Sequence, residues 1–197
     1  IENIQENIAR KAKFRCVDMI QVCSINRGRF GHRPRNDPDY YGGKYPFIQT
    51  GDIVRSANSN SPIIYTQTLN DLGLNTSKLF YPPKLLFTIA ANIGDTAILD
   101  YKSCFPDSIV ALIPRSSLLS IEYLNIYMRA IKKYVIELAP YAAQRNLNNQ
   151  QLAKIPVIVP PLEIQSAIVA KMDAAYASKR AKEWETQRRV DSIKDDL

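Results

Sequence analysis

Apolar positions recur along the chain with two different periods, and the change of period divides it. From Leu162 to Leu197 there is no Gly or Pro, and Val169, Met172, Tyr176, Lys179, Glu183, Thr186, Val190, Ile193 and Leu197 follow at alternating three- and four-residue steps. Six of those nine positions are apolar, which predicts a long helix with a coiled-coil seam and a polar middle. Pro160-Pro161 mark its start, because Pro is tolerated only in a first helical turn. A helix over 162–197 would be about 50 Å long at 1.5 Å per residue. One domain of this size does not need such a helix for its own core, so the seam is expected to pack on another helix or protomer; a lone solvated helix is the alternative. Ile1, Ile4 and Ile8 share one face of a helical candidate at the other end, over 1–14, which could lie antiparallel to the long one.

Between the two helical ends the pattern is strand-rich and mixed α/β. Short apolar or alternating runs predict strands over 17–25, 63–66, 78–81 and 154–159, and one over 47–55 interrupted at Gly51-Asp52. Runs over 85–90, 96–101 and 108–113 form a three-strand group, punctuated by Pro82-Pro83, the turn at 92–94, Pro106 and Pro114. A 3.6-residue period carried by Leu124, Tyr127, Met128, Ile131, Val135 and Leu138 predicts a helix over 120–139, capped by Ser120 and ended by Pro140. Residues 26–46 read as one long turn-rich loop.

Composition narrows the function. The chain has 197 residues and a formal net charge of +7. From Glu163 onward seven basic residues face seven acidic ones, so the whole surplus lies in 1–162. No apolar run approaches the roughly 20 residues of a membrane span, and no cleavable leader pattern is present. Cys16, Cys23 and Cys104 are an odd number with no CxxC spacing, which suits reduced thiols in a cytoplasmic protein rather than a disulfide framework or zinc knuckle. A single histidine, His32, argues against His-based metal sites and a Ser-His-Asp arrangement. Seven glycines leave little room for a phosphate-binding glycine loop. The two Pro-Pro pairs lack the flanking residues of a base-flipping methyltransferase loop, and Asp100-Tyr101-Lys102 with Asp107 is a weak match to a nuclease. No catalytic site, metal or cofactor is therefore expected. The missing initiator Met and the charged end suggest a part of something longer.

The nucleic-acid signal is stronger. The loop reads NRGRFGHRPRNDPDYYGGKYP and holds Arg27, Arg29, Arg33, Arg35 and Lys44 against Asp37 and Asp39, a local net of +3, with Phe30, Tyr40, Tyr41 and Tyr45 interleaved. Forked Arg donors suit phosphate oxygens and guanine, and Asn or Gln suits adenine. The alternative is a surface loop whose arginines pair with Asp37 and Asp39. A second polar run, 143–151, offers Gln144, Arg145, Asn146 and Asn148 as base readers, with Asn148 equally suited to cap a short helix. Asn36, Gln49, Thr50 and Asn92 complete the contact candidates.

Several segments together resemble the DNA specificity (S) subunit of type I restriction–modification enzymes. Val17 to Ile25 with Arg27-Gly28 looks like the opening strand of a target recognition domain. Tyr45-Pro46-Phe47-Ile48-Gln49-Thr50-Gly51-Asp52-Ile53 resembles a second family segment. Leu85 to Ala90 followed by Ile93 to Leu99 resembles its hairpin, with Asn92 where Gly is frequent. The most specific piece runs from Gln144-Arg145-Asn146-Leu147 through Leu152 and Ile155-Pro156-Val157 to Pro160-Pro161-Leu162-Glu163-Ile164-Gln165.

The resemblance implies an α/β (α+β) globular target recognition domain with a long C-terminal coiled-coil-type helix. It divides the chain into an N-terminal helical segment (1–14), the DNA-binding domain (15–161) and a spacer helix (162–197). Such a domain reads one half of a split target in double-stranded DNA. Its spacer helix docks methyltransferase (M) subunits, and a restriction/translocase (R) subunit joins that complex. Catalysis, S-adenosylmethionine and ATP belong to those partners. The spacer, through Val169, Met172, Tyr176, Val190, Ile193 and Leu197, would pair with a second recognition domain or a second copy of the chain. Two other assignments stay open: the recognition domain of a single-chain restriction–methylation fusion enzyme, and a helix-mediated scaffold with no base reading.

Overall fold

The computed structural model describes residues 14–33, 35–139 and 146–195. The expected helix over 1–14, with Ile1, Ile4 and Ile8, lies outside the described residues apart from Phe14, as do Pro140 and Leu197. The side chains of Val190 and Ile193 are likewise outside what is described.

Alternation in the predicted three-strand group builds the centre of the molecule. Strands β5 (Lys84–Thr88), β6 (Thr96–Leu99) and β7 (Ile109–Pro114) join β2 (Cys23–Arg27) in an antiparallel sheet of order β2-β7-β5-β6. Side chains on a strand point to opposite faces in turn. Leu85, Phe87, Val110 and Leu112 therefore enter one core, and Leu86, Ala97, Leu99, Ile109 and Ala111 enter another. The first core is closed by helices α4 (Ile121–Ala130) and α5 (Lys132–Leu138), and by α6 (Asn149–Ala153) and β8 (Pro156–Val159). The second is closed by Ile48, Ile53, Ile63, Phe80 and Phe105. Burying a Leu or Phe side chain contributes about 1.5–3 kcal/mol, so a sheet covered on both faces dominates the stability.

The predicted strand 17–25 is two strands in different sheets. β1 (Arg15–Asp18) pairs antiparallel with β8, and β2 pairs with β7. Between them Met19–Val22 make one helical turn, α1. In a straight strand Met19 and Val22, three apart, would face opposite ways; the helical turn puts both in the first core. Its entry is held by Gln21 Oε1, which accepts from the Asp18 amide at 3.3 Å, and by Met19 N–H, which donates to the Ile155 carbonyl at 2.8 Å.

The interrupted strand expected over 47–55 is instead helix α2 (Thr50–Ser59). Asp52, read from the sequence as a strand-breaking turn residue, organises the helix start: its buried carboxylate accepts from the Gln49 amide at 2.8 Å and from Thr66 Oγ1 at 3.0 Å, and pairs with Arg55. A carboxylate three residues after the cap residue is capping-box geometry. The strand expected over 63–66 begins later, as β4 (Gln67–Leu69), and the one over 78–81 is reduced to a bridge between Phe80 and Ser103. The long loop is shorter than expected, because Pro38–Tyr40 form a 3-10 turn and Tyr41–Phe47 form β3, paired with β4. Helix α3 (Asp71–Thr76) follows β4. The helix over 120–139 is present as α4 and α5, parted at Ile131.

The C-terminal helix α7 spans Leu162–Asp195. No helix among the described residues is long and apolar enough to cross a membrane. The seam expected to meet a partner is divided. Val169 packs against the first core, and Val169, Asp173 and Tyr176 line a groove of about 260 Å³ with Asn125, Ile126 and Arg129 of α4. Met172 is half-buried, whereas Lys179, Glu183 and Thr186 are exposed. The helix is fastened at its start by Gln165, which is fully buried and has both ends of its amide engaged. Its Oε1 accepts from the Ser120 amide at 2.9 Å, and its Nε2 donates to the Leu118 and Pro160 carbonyls at 2.9 and 2.8 Å. Replacing Gln165 with Ala strands these three backbone groups, and urea unfolding is expected to register a loss of about 1–3 kcal/mol.

Candidate nucleic-acid interface

The arginine-rich loop leaves the sheet through Gly28. A Cβ there would lie 2.3 Å from the Pro106 carbonyl oxygen and 2.5 Å from Phe105, so only glycine lets the chain run this close to 105–106. Backbone bonds hold the approach: Gly28 N–H donates to Ile109 O and Arg29 N–H to Phe105 O, each at 2.9 Å. Farther on, Gly31 N–H donates to Thr76 O at 2.8 Å and Ser77 Oγ donates to Arg29 O at 2.6 Å. Phe30 is buried against Tyr40, Tyr41 and Phe47, with ring centroids 5.1–6.5 Å apart. His32 stacks on Tyr40 at 3.7 Å. The aromatics interleaved with the arginines thus form a small core together with Phe47, Leu69 and Cys104.

The arginines do not pair with Asp37 and Asp39. Asp37 accepts from the Asp39 amide at 3.1 Å and meets His32 Nε2 at 2.9 Å, and so is committed to the 3-10 turn. The anionic partner is Asp107, far along the chain in the connection between β6 and β7. Its carboxylate pairs with Arg35 and lies 3.7 Å from Arg33, and its carbonyl accepts from Arg27 Nε at 2.6 Å. Three of the four loop arginines therefore converge on one residue. The Arg29 guanidinium has no partner among the described residues. Lys44 lies apart on β3, 3.6 Å from Asp71 and over the Tyr45 ring at 5.2 Å. Its pKa is raised by hydrogen bonding to Tyr45, with Asp71 adding to the effect.

Beside this cluster a cleft of about 340 Å³ opens between Phe30, Tyr41, Phe47 and Pro106, with Arg35, Asn36, Gln49 and Gln67 around it. Tyr41 OH donates to the Arg35 carbonyl, and burial raises the Tyr41 pKa against the opposing effect of Arg35. Gln49 enters as the residue before α2, with Thr50 next to it as the first helical residue. Its Nε2 donates to Gln67 Oε1. The fold thus brings together Arg35, Asn36 and Gln49, and adds Gln67. Neither Gln67 nor the anchoring role of Asp107 was readable from the sequence, because each acts only with a partner distant in the chain.

Two further candidates, Asn92 and Asn146, lie at the same end of the central sheet. Arg27 pairs with Val110, Thr88 with Ile109, and Ile89 N–H donates to Ser108 O at 3.0 Å, which sets the Asp107 cluster beside the turn leaving β5. Asn92 is exposed in that turn, and Asn146 forms a bridge with Ala90. Asn148 caps α6: its Oδ1 accepts from the Gln151 amide at 2.9 Å, and Gln151 Oε1 accepts from the Asn148 amide at 3.0 Å. Gln144 and Arg145 lie outside the described residues.

The loop's seat is directly testable. Gly28→Ala must push the loop off 105–106, and urea unfolding is expected to show a loss of about 1–3 kcal/mol, the usual cost of overpacking. Gly31→Ala, whose Cβ would meet only Thr76 O at an ordinary 3.5 Å, should be tolerated.

Known proteins bear on this arrangement. Residues 13–187 match the family described as Type I restriction modification DNA specificity domain. Among solved structures, the chain is similar to one from a study of complex assembly and conformational transition of the type I R-M system. That match has 20% identity and a TM-score of 0.69, and covers 97% of this chain and 48% of the other. It is also similar to the HsdS subunit from Thermoanaerobacter tengcongensis, with 22% identity, a TM-score of 0.62 and coverage of 91% and 45%. A third match is the type I restriction-modification S subunit from M. genitalium, with 12% identity, a TM-score of 0.60 and coverage of 83% and 39%. At these identities the likeness is one of fold: a mixed α/β unit carrying a long C-terminal helix. The chain spans about half the length, or less, of the structures it matches. A family match over nearly the whole chain, on a fold shared with S subunits, means that this chain belongs to the type I restriction modification DNA specificity domain family.

Proposed function

We propose that this chain reads the sequence of duplex DNA as one target recognition unit, covering one half of a bipartite site. It is non-catalytic, and directs methylation or restriction carried out by M and R partner subunits. In this reading residues 15–161 are the recognition domain and 162–197 the spacer on which the methyltransferase docks. The intact protein supplies a second recognition domain, or a second copy, across the spacer. It works with its DNA in the bacterial cytoplasm. The observation that carries the reading is the convergence of Arg27, Arg33 and Arg35 on Asp107, next to a cleft edged by Asn36, Gln49 and Gln67. Guanidinium groups steadied by Asp107 and edged by amides are the donor and acceptor set that phosphates and base edges require.

The long helix supports the docking half of the proposal. Past Tyr176 its described side chains are exposed through Arg189. They include Trp184, 63% exposed, with the Arg188 guanidinium 4.7 Å from its ring centroid. Exposed Trp and Arg are the side chains most often found at the energetic centre of protein interfaces.

The test is a reconstituted complex of the intact specificity protein with its methyltransferase, assayed for DNA affinity, salt dependence and methylated sites. Arg33→Ala and Arg35→Ala are each expected to weaken binding by about 1–3 kcal/mol or to relax one position of the half-site. Arg29→Ala, which removes a cation with no partner among the described residues, should weaken all sequences alike and lower the salt slope by about one. Unchanged affinity and methylation pattern for Arg33→Ala and Arg35→Ala would overturn the loop assignment.

A further inference from the structure

The cleft next to the arginine loop contains a pair of amides drawn from two elements that are distant in sequence. Gln67 opens β4, where its backbone pairs with Phe47. Gln49 precedes α2, and its backbone amide is tied to the Asp52 carboxylate. Both main chains are therefore held by regular structure, and the side chains meet through the Gln49 Nε2 donation to Gln67 Oε1. Gln67 is exposed and belongs to none of the hydrophobic cores.

The pairing decides what Gln67 presents outward. A carboxamide has two donors on nitrogen and two lone pairs on oxygen. The inward bond uses one lone pair of Gln67 Oε1 and leaves its Nε2 with both donors. Fixing Oε1 against Gln49 also fixes the direction of Nε2, so the side chain loses little further rotamer freedom on binding. Adenine presents an N7 acceptor beside an N6–H donor in the major groove, the pattern a carboxamide matches with both atoms at once. Across the cleft stand Arg35 and Asn36, the former already oriented by Asp107.

We infer that Gln67, oriented by Gln49, is a specificity-determining residue that selects an adenine in the recognised half-site. The inference rests on the DNA-reading function proposed above. A purely structural account of the same contact is that it staples the start of α2 to β4, and the two roles separate chemically. Gln67→Glu keeps an oxygen to accept from Gln49 Nε2, so a staple survives. It replaces the outward donor with an acceptor and adds a negative charge, and carboxylates accept from cytosine N4 rather than donating to adenine N7.

The experiment uses the intact specificity protein assembled with its methyltransferase partner, selecting from duplexes randomised across the half-site. Wild type should select adenine at one position that Gln67→Ala relaxes by about five- to 150-fold. Gln67→Glu should lose adenine at that same position and shift toward cytosine, with preferences elsewhere retained. Uniform weakening over all sequences by Gln67→Ala, or an unaltered preference in both variants, would overturn the inference while leaving the DNA-reading function standing. A wild-type complex with no sequence preference would overturn both.

Discussion

A four-stranded sheet buried on both faces is the constraint to which the rest of the structure answers. Because Leu85, Leu86 and Phe87 follow one another and are each fully buried, neighbouring residues of β5 need two separate apolar environments. One is supplied by α4, α5, α6 and the β1-β8 pair, the other by α2 and by the segments carrying Phe80 and Phe105. Unlike an antiparallel sheet with one solvated face, this one carries apolar cover on both faces. An end of the sheet remains accessible, and the Asp107 cluster, the cleft beside it and Asn92 lie there.

The same constraint explains how a short stretch of chain serves two sheets. β1 belongs to the pair with β8, and β2 to the central sheet. One turn of helix between them moves the chain across while keeping Met19 and Val22 in one core. At the far end of β2 the chain needs Gly28, because Phe105 and Pro106 already occupy the space beside it. That close approach delivers Arg27, Arg33 and Arg35 to Asp107. The pairing is a consequence of the sheet's connections rather than of local attraction, since the nearer carboxylate of Asp37 is engaged by His32 and by the turn it starts.

Elements with an uninterrupted period were legible. The three central strands, the helix capped by Ser120 and the 34-residue helix from Leu162 each carry their pattern locally. Elements whose pattern is short or mixed were not. Residues 17–25 look like one β-branched run because a single helical turn is too brief to imprint its period. Residues 50–59 carry Gly51 and several small polar side chains, and their helix depends on tertiary cover for Ile53 and on Asp52 bridging Gln49, Arg55 and Thr66. The seam of α7 was read as one surface, yet its first part is taken up by the domain's own core.

For the candidate interface, the amino-acid sequence by itself determined the chemistry: an arginine-dense loop with interleaved aromatics, amides on either side, and a charge surplus confined to the part before the long helix. Residue type and local density are properties of neighbours along the chain, so they can be read there. Only the tertiary structure decided which of those residues act together. Asp107 reaches Arg35 across 72 positions, Gln67 reaches Gln49 across 18, and the Asn92 turn comes to the same end of the sheet through strand order. Such pairings are set by which strands lie side by side, and strand order is determined by the burial of the whole sheet rather than by any one segment.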